Sequence, residues 1–163
     1  MKNISNVMCK MIEYFGSDAK RINHFIKVFG FAKAIAEGEN VSSDILEIIE
    51  VTALVHDIGI KLSEEKYNSN SGKYQEIEGP AEAKKLLADV GYSESFIERV
   101  CYIVGHHHTY TDIKGIDYQI IVEADFIVNI FEDDMNVNQI ESIRNKIFKT
   151  KTGINIIEKM YFN

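Results

Sequence analysis

The sequence predicts an all-α fold in a single domain, and three observations support that prediction. The 163 residues contain one proline and ten glycines, which suits long helices better than a sheet with many tight turns. Apolar residues recur at intervals of three and four through most of the chain, the spacing of helices with one buried face. With 45% hydrophobic and 26% charged residues, the chain can bury one core, and no repeat or linker marks a second domain.

The first two helices can be placed from this spacing. The first covers residues 4–15 and should end at Gly16, and Asp18 is suited to cap the next one. The second helix covers about residues 20–37 and is apolar on most of its circumference. A helix of this kind lies in the centre of a fold, so we expect His24 to point inward.

A third helix is predicted over residues 45–56, and it brings His56 to the interior with Asp57 at the helix end. We expect Gly59 to stop this helix. Residues 61–78 are the least regular part of the chain and are predicted to form a long loop. Such a loop is either a surface excursion or a segment that covers a substrate, and the sequence leaves both alternatives open.

The second half of the chain also has helical spacing. Pro80 is expected at the first position of a short helix, and Ser95 is expected to start the next one, which leads into the histidines at 106–108. The next segment covers residues 116 to about 132, and residues 120–128 within it are almost entirely apolar around Asp125. A run this long after so many helices favours a buried helix over a strand. One or two amphipathic helices close the fold.

Charge and cysteine content exclude several classes of protein. A net charge of -7 argues against binding to a nucleic-acid polymer or an anionic membrane, since such binding requires many phosphates to be neutralised. The two cysteines form neither a disulfide framework nor a zinc-thiolate unit. The N-terminal residues lack an apolar run of signal-peptide or membrane-spanning length, so we expect a cytoplasmic protein.

An adjacent imidazole and carboxylate, His56 and Asp57, end an apolar stretch, where an ionised carboxylate is costly unless a cation offsets it. His24, the pair at 106–107 and Asp125 are placed to complete a metal site. Each of them alone is more often a hydrogen-bonded structural residue. Together, imidazole nitrogen and carboxylate oxygen without cysteine form the ligand set of an open, catalytic site for a divalent metal.

The ordered pattern of His24, then His-Asp-Ile-Gly at 56–59, then Asp125 resembles the HD-domain superfamily of metal-dependent phosphohydrolases. The resemblance covers about residues 20–132, and the flanking helices would complete a single domain over residues 1–163. It implies an all-helical core in which His24, His56, Asp57 and Asp125 hold one metal ion. It also implies that Asp57 bridges to a second ion in relatives that bind two.

The second ion depends on residues that match the family less well. By resemblance, His106 and His107 would be ligands and His108 would lie behind them or in solvent, whereas helical spacing favours His107 or His108 inward. Where relatives have a His-Gly unit, this chain has Glu78 before a glycine. Glu78 could still ligate a hard cation or orient water. Asp57 and Glu78 are therefore the candidate catalytic residues.

The resemblance implies hydrolysis of a nucleotide or another small phosphate ester by water activated on one or two divalent ions. The sequence does not distinguish Mn, Mg, Fe, Co, Ni and Zn, and it leaves open whether the chain forms a homo-oligomer. Lys61, Arg21 and Lys73 are candidates to contact the phosphate, although each could equally be a solvated surface residue. The alternatives are a di-iron oxygenase of the same fold, which Glu78 in place of His disfavours, and a non-catalytic binding module.

Overall fold

The structure is a computed structural model that describes residues 4–162, and over that range it contains helices and no strands, as the apolar spacing predicts. The helices are α1 (Ile4–Phe15), α2 (Ala19–Gly38), α3 (Ser43–Val55), α4 (Ile60–Tyr67), α5 (Gly72–Val90), α6 (Glu94–Val104), α7 (Ile116–Glu132), α8 (Val137–Ile147) and α9 (Lys151–Tyr161). None of the helices in this range is long and apolar enough to cross a membrane.

The central helix is α2, which packs along α3 on one side and α7 on the other. Two apolar clusters fill the interior. One joins α2, α3 and α7 to the C-terminal helices, and the other joins α1, α3, α5 and α6. His24 on α2 and Asp125 on α7 are both buried, so their polar atoms meet inside the bundle.

The start of α2 follows the prediction. Gly16 adopts a φ of 60°, a left-handed conformation that glycine reaches without steric cost, and it ends α1. Asp18 then caps α2 by accepting a hydrogen bond from the backbone N–H of Arg21 at 3.2 Å. This tight connection fixes the first turn of α2 close to the candidate site.

The predicted long loop over residues 61–78 is wrong. The chain forms α4 immediately after Gly59 and begins α5 at Gly72, so only a short turn separates the two helices. Asn68 ends α4 in the left-handed conformation with a φ of 49°, which asparagine tolerates better than most residues. The polar composition that suggested a loop belongs instead to α4, to the first turns of α5 and to the turn between them.

Proline and glycine positions also differ from expectation. Pro80 lies inside α5 rather than at its start, so packing against α4 and α6 outweighs the roughly 3 kcal/mol that an interior proline costs. Gly59 precedes α4 with an ordinary φ of -70°. A Cβ there would lie 2.5 Å from the backbone oxygen of Gln75 and 2.6 Å from the backbone nitrogen of Gly79. Gly59 is therefore required by the close approach of α5.

A buried carboxylate ties the C-terminal helices to the core. Glu123 on α7 is fully buried and accepts hydrogen bonds from Gln119 Nε2 at 2.7 Å and from the backbone N–H groups of Lys149 and Thr150 at 2.7 and 2.9 Å. The Thr150 hydroxyl, at the start of α9, donates a further bond to it. This single side chain therefore satisfies donors from the α8–α9 connection.

Glu123→Ala is expected to lower the free energy of unfolding by about 3 kcal/mol, because several buried donors lose their acceptor at once. Urea denaturation followed by circular dichroism measures the change. Glu141→Ala on the exposed face of α8 is the matched control and should change the free energy by less than about 0.5 kcal/mol. Equal stability of the two variants would contradict the role given to Glu123.

Candidate metal centre

Two groups of side chains, joined by a shared carboxylate, could hold metal ions. In each group, one ligand atom per residue lies within 4.8 Å of all the others. The first group is His24, His56, Asp57 and Asp125, and the second is Asp57, His107 and His108. Asp57 belongs to both groups, in the position that the resemblance implies for a bridging carboxylate.

Four separate elements bring these side chains together. His24 comes from the second turn of α2, Asp125 from α7, and His56 and Asp57 from the turn that follows α3. His107 follows the end of α6, where Gly105 stops the helix. The side chains of His56 and His107 have no exposed surface, and that of Asp125 is 6% exposed. The centre is thus formed by the packing of the bundle.

The Nδ1 atoms of three imidazoles face hydrogen-bond acceptors that are held in place. His56 Nδ1 lies 2.9 Å from the carbonyl oxygen of Ala53, and His107 Nδ1 lies 2.9 Å from that of Val104. His24 Nδ1 lies 2.9 Å from a carboxylate oxygen of Glu132. Because a carbonyl or carboxylate oxygen can only accept, each Nδ1 carries the proton. In a neutral imidazole, Nε2 then presents a lone pair.

Those Nε2 atoms point toward one another and toward carboxylates. The Nε2 atoms of His24 and His56 are 3.2 Å apart, and His107 Nε2 is 2.8 Å from Asp57 Oδ1. Lone pairs at such distances repel unless a cation lies between them. The arrangement therefore requires either extra protons on the imidazoles or bound metal ions.

One oxygen in the centre supports the same conclusion. Asp125 Oδ1 lies 3.2 Å from His24 Nε2 and 3.5 Å from His56 Nε2. Neither pair has hydrogen-bond geometry, so this buried oxygen has no hydrogen-bond donor among the described residues. A buried carboxylate oxygen without a donor is costly. A divalent ion between Asp125 and the two imidazoles would satisfy it, and the residues present fit such an ion.

The charged groups of the centre also shift one another's pKa. Burial lowers the pKa of His24, but Asp125, Asp57 and Glu132 outweigh burial and raise it to about 9. Burial raises the pKa of Asp57, yet the neighbouring histidines bring it well below its usual range. His56 and His24 likewise lower the pKa of Asp125 against the effect of its burial. Both carboxylates thus stay ionised and available as ligands.

The three consecutive histidines are arranged differently from the family-based prediction. Since α6 ends at Val104, they lie in a turn. His107 and His108 face Asp57, with His108 Nε2 at 3.4 Å from Asp57 Oδ1. His106 is exposed, stacks on Tyr102 and lies outside both groups. His108, and not His106, therefore lies beside Asp57 together with His107. This agrees with the helical spacing, which favoured His107 or His108 inward.

Glu78 does not reach the centre. It accepts hydrogen bonds from Lys66 Nζ at 2.6 Å and from the Tyr67 hydroxyl at 2.8 Å, both on α4. The α5 side chain that enters the site is Gln75, which is buried and lies 3.4 Å from His108 Nε2 through its amide oxygen. Glu78 was a candidate because it replaces the histidine of the His-Gly unit found in relatives, at the start of a helix that the sequence predicted from residue 80. Because α5 begins eight residues earlier, Glu78 faces α4 instead.

The three residues predicted to contact the phosphate lie in different places in the structure. Lys61 is exposed and donates to the backbone oxygen of Tyr14 at 3.1 Å, away from the centre. Lys73 is exposed and lies near the ring of Tyr74. Of the three, only Arg21 lines the cavity in front of the candidate metal centre.

That cavity has a volume of about 380 Å³ and opens directly onto the first group. It is lined by Asp18, Lys20, Arg21, His24, Phe25, Asp57, Ile60, Asn70, Gln75, His108, Asn129, Glu132 and Asp133. Its size is at the lower end of the range for small-molecule sites. Asn129 and Glu132 follow Asp125 by four and seven residues on α7, a helical spacing by which the sequence could have identified them.

A buried cluster of histidines and aspartates at the base of a cavity, in an all-α fold, defines a class of candidate metal-dependent enzymes. The HD domain family matches residues 21–149, and the chain belongs to that family. The fold is similar to the crystal structure of a predicted HD superfamily hydrolase from an uncultured Thermotogales bacterium. That match has a TM-score of 0.70 and 23% identity, and it covers 97% of this chain and 84% of the other. No curated protein matches the sequence.

Proposed function

We propose that this protein is a metal-dependent phosphohydrolase acting on a nucleotide or another small phosphate ester. One observation carries the proposal: three imidazoles with fixed Nδ1 protons turn their Nε2 atoms onto two ionised carboxylates at the base of an open cavity. Such a set binds divalent ions through nitrogen and oxygen and leaves one side open to substrate. Membership of the HD domain family and the similarity to a predicted hydrolase agree with hydrolytic chemistry.

The position of each candidate ligand indicates which ion it would hold. His24, His56 and Asp125 would hold one ion, His107 and His108 a second, and Asp57 both. A bound divalent ion would lower the pKa of a coordinated water and polarise the phosphoryl group. In the overall reaction, a water oxygen forms a bond to phosphorus while the bond from phosphorus to the ester oxygen breaks. For a phosphate monoester, the alcohol leaves with a proton, and inorganic phosphate remains.

The test is reconstitution. Chelator-stripped protein is reloaded separately with Mn, Mg, Fe, Co, Ni or Zn, its metal content is measured, and phosphate release is followed on nucleotides and sugar phosphates. We expect turnover with at least one metal that binds at one or two ions per chain. Protein that binds metal but releases phosphate from no ester would contradict the proposal. Oxygen consumption by the iron-loaded form would favour the oxygenase alternative.

A further inference from the structure

The cavity in front of the metal centre offers little positive charge of its own. Arg21 is occupied: Nη1 and Nη2 contact the two carboxylate oxygens of Glu64 at 3.0 and 2.5 Å, and Nη1 also lies 3.2 Å from Asp18. Lys27 Nζ lies 2.5 Å from Glu132, a carboxylate that lines the cavity. Both cations are therefore already neutralised by protein carboxylates.

One cation and one carboxylate on the cavity wall remain unpaired. Lys20 is exposed and has no carboxylate within ion-pair distance in residues 4–162. Asp133, at the end of α7, is also exposed and has no cation within ion-pair distance in that range. Their charges cancel, so the wall outside the metal centre has no excess of positive charge to receive a chain of phosphates.

Neutral polar groups make up much of the remaining wall. The side chains of Asn70, Gln75 and Asn129 line the cavity together with the apolar Phe25 and Ile60. The Asn129 amide makes no hydrogen bond to any other described residue. It lies one helical turn after Asp125, which places it next to the metal centre. An amide can both donate and accept, so it suits hydroxyl or base-edge groups of an uncharged ligand.

We propose that the substrate is a phosphomonoester whose organic part is uncharged, and that Asn129 binds that organic part. The inference rests on the proposed function. Two divalent ions held by the ionised Asp57 and Asp125 would leave a charge of about two positive, which would match a phosphate monoester of about −1.5 to −2. Each further phosphate would add negative charge beside Asp133 and beside cations that are already paired. A nucleoside monophosphate meets these requirements, and a nucleoside triphosphate does not.

The first experiment compares the mono-, di- and triphosphates of one nucleoside on the metal-reconstituted protein. We expect kcat/KM for the monophosphate to exceed that for the triphosphate by about tenfold or more, the size of effect that charge in a cleft produces. A triphosphate turned over as well as the monophosphate would overturn the inference and leave the proposed function intact. Release of phosphate from no ester would overturn both.

A charge reversal tests whether the cavity wall causes the preference for monophosphate over triphosphate. Asp133→Lys should raise kcat/KM for the triphosphate relative to the monophosphate by about tenfold. Glu98→Lys makes the same change of charge on an exposed position of α6 outside the cavity, and should leave the ratio unchanged. Equal ratios in the two variants would contradict the assignment of selectivity to the cavity wall.

The contact to the organic part is tested with Asn129→Ala. Loss of one hydrogen bond should reduce kcat/KM for a nucleoside monophosphate by about 3- to 10-fold. Hydrolysis of nitrophenyl phosphate, whose leaving group lacks sugar hydroxyls and a base, should change by less than twofold. Titration calorimetry should show unchanged metal affinity. Equal losses on both substrates would overturn the role given to Asn129.

Discussion

Asp57→Asn is expected to abolish phosphate release and to weaken metal binding in both groups. Asp57 is the only residue that the two groups share, and an amide has one neutral oxygen in place of a charged carboxylate. The amide NH2 group of the variant can instead donate to His107 Nε2. That nitrogen lies 2.8 Å from Asp57 Oδ1 in the unmodified protein. The variant should therefore fold but bind metal more weakly by more than about 100-fold. Losing a residue that only supports a ligand costs up to about 100-fold, and Asp57 is itself a candidate ligand. Calorimetric titration with metal and a phosphate-release assay measure both effects.

The consecutive histidines provide controls for this prediction. His108→Ala should weaken metal binding, because His108 faces Asp57 in the second group. His106→Ala should leave metal affinity unchanged, since His106 is exposed and lies outside both groups. The reverse result would restore the ligand pair at 106–107 that the family pattern favours. Thermal denaturation with and without metal adds a second measurement, because an ion that binds only the folded state raises the unfolding temperature.

Glu132→Gln is expected to lower metal affinity by about 10- to 100-fold, although Glu132 belongs to neither candidate ligand group. One carboxylate oxygen accepts from Lys27 at 2.5 Å and the other faces His24 Nδ1 at 2.9 Å. In the variant, Lys27 would still donate to the side-chain oxygen at position 132. The amide NH2 would then face His24 Nδ1. His24 would then accept at Nδ1 and carry its proton on Nε2, where it blocks the metal.

Nitrogen-15 NMR of the histidine rings distinguishes this tautomer change from general damage. At a pH above the His24 pKa of about 9, where the ring is neutral, the metal-free Glu132→Gln protein should show the single His24 proton on Nε2. Adding Lys27→Met should restore part of the metal affinity, because the amide can then turn its oxygen toward His24. Asp134→Asn is the matched control: it removes a nearby exposed carboxylate, and asparagine accepts its φ of 49°. Unchanged affinity in Glu132→Gln would show that the Glu132 contact does not orient His24.

Much of the fold follows from the sequence, because helical periodicity depends only on which positions are apolar. That periodicity predicts the all-α class, the central position of α2 and the inward direction of His24 and Asp125, and the structure agrees with each. The pattern His-Asp-Ile-Gly identifies the turn after α3 as the centre of the site. These are local properties, since each depends on residues within a few turns of one helix.

The residues that surround that centre depend on how the helices pack. Packing of α5 against Gly59 extends the helix through Pro80, so that Gln75 enters the site and Glu78 does not. The turn after α6 selects His107 and His108 over His106. Local spacing could not fix these choices, because they depend on how separate helices approach one another. Local sequence is thus enough to propose His24, His56, Asp57 and Asp125 as the central candidate residues, whereas helix packing sets what lies around them.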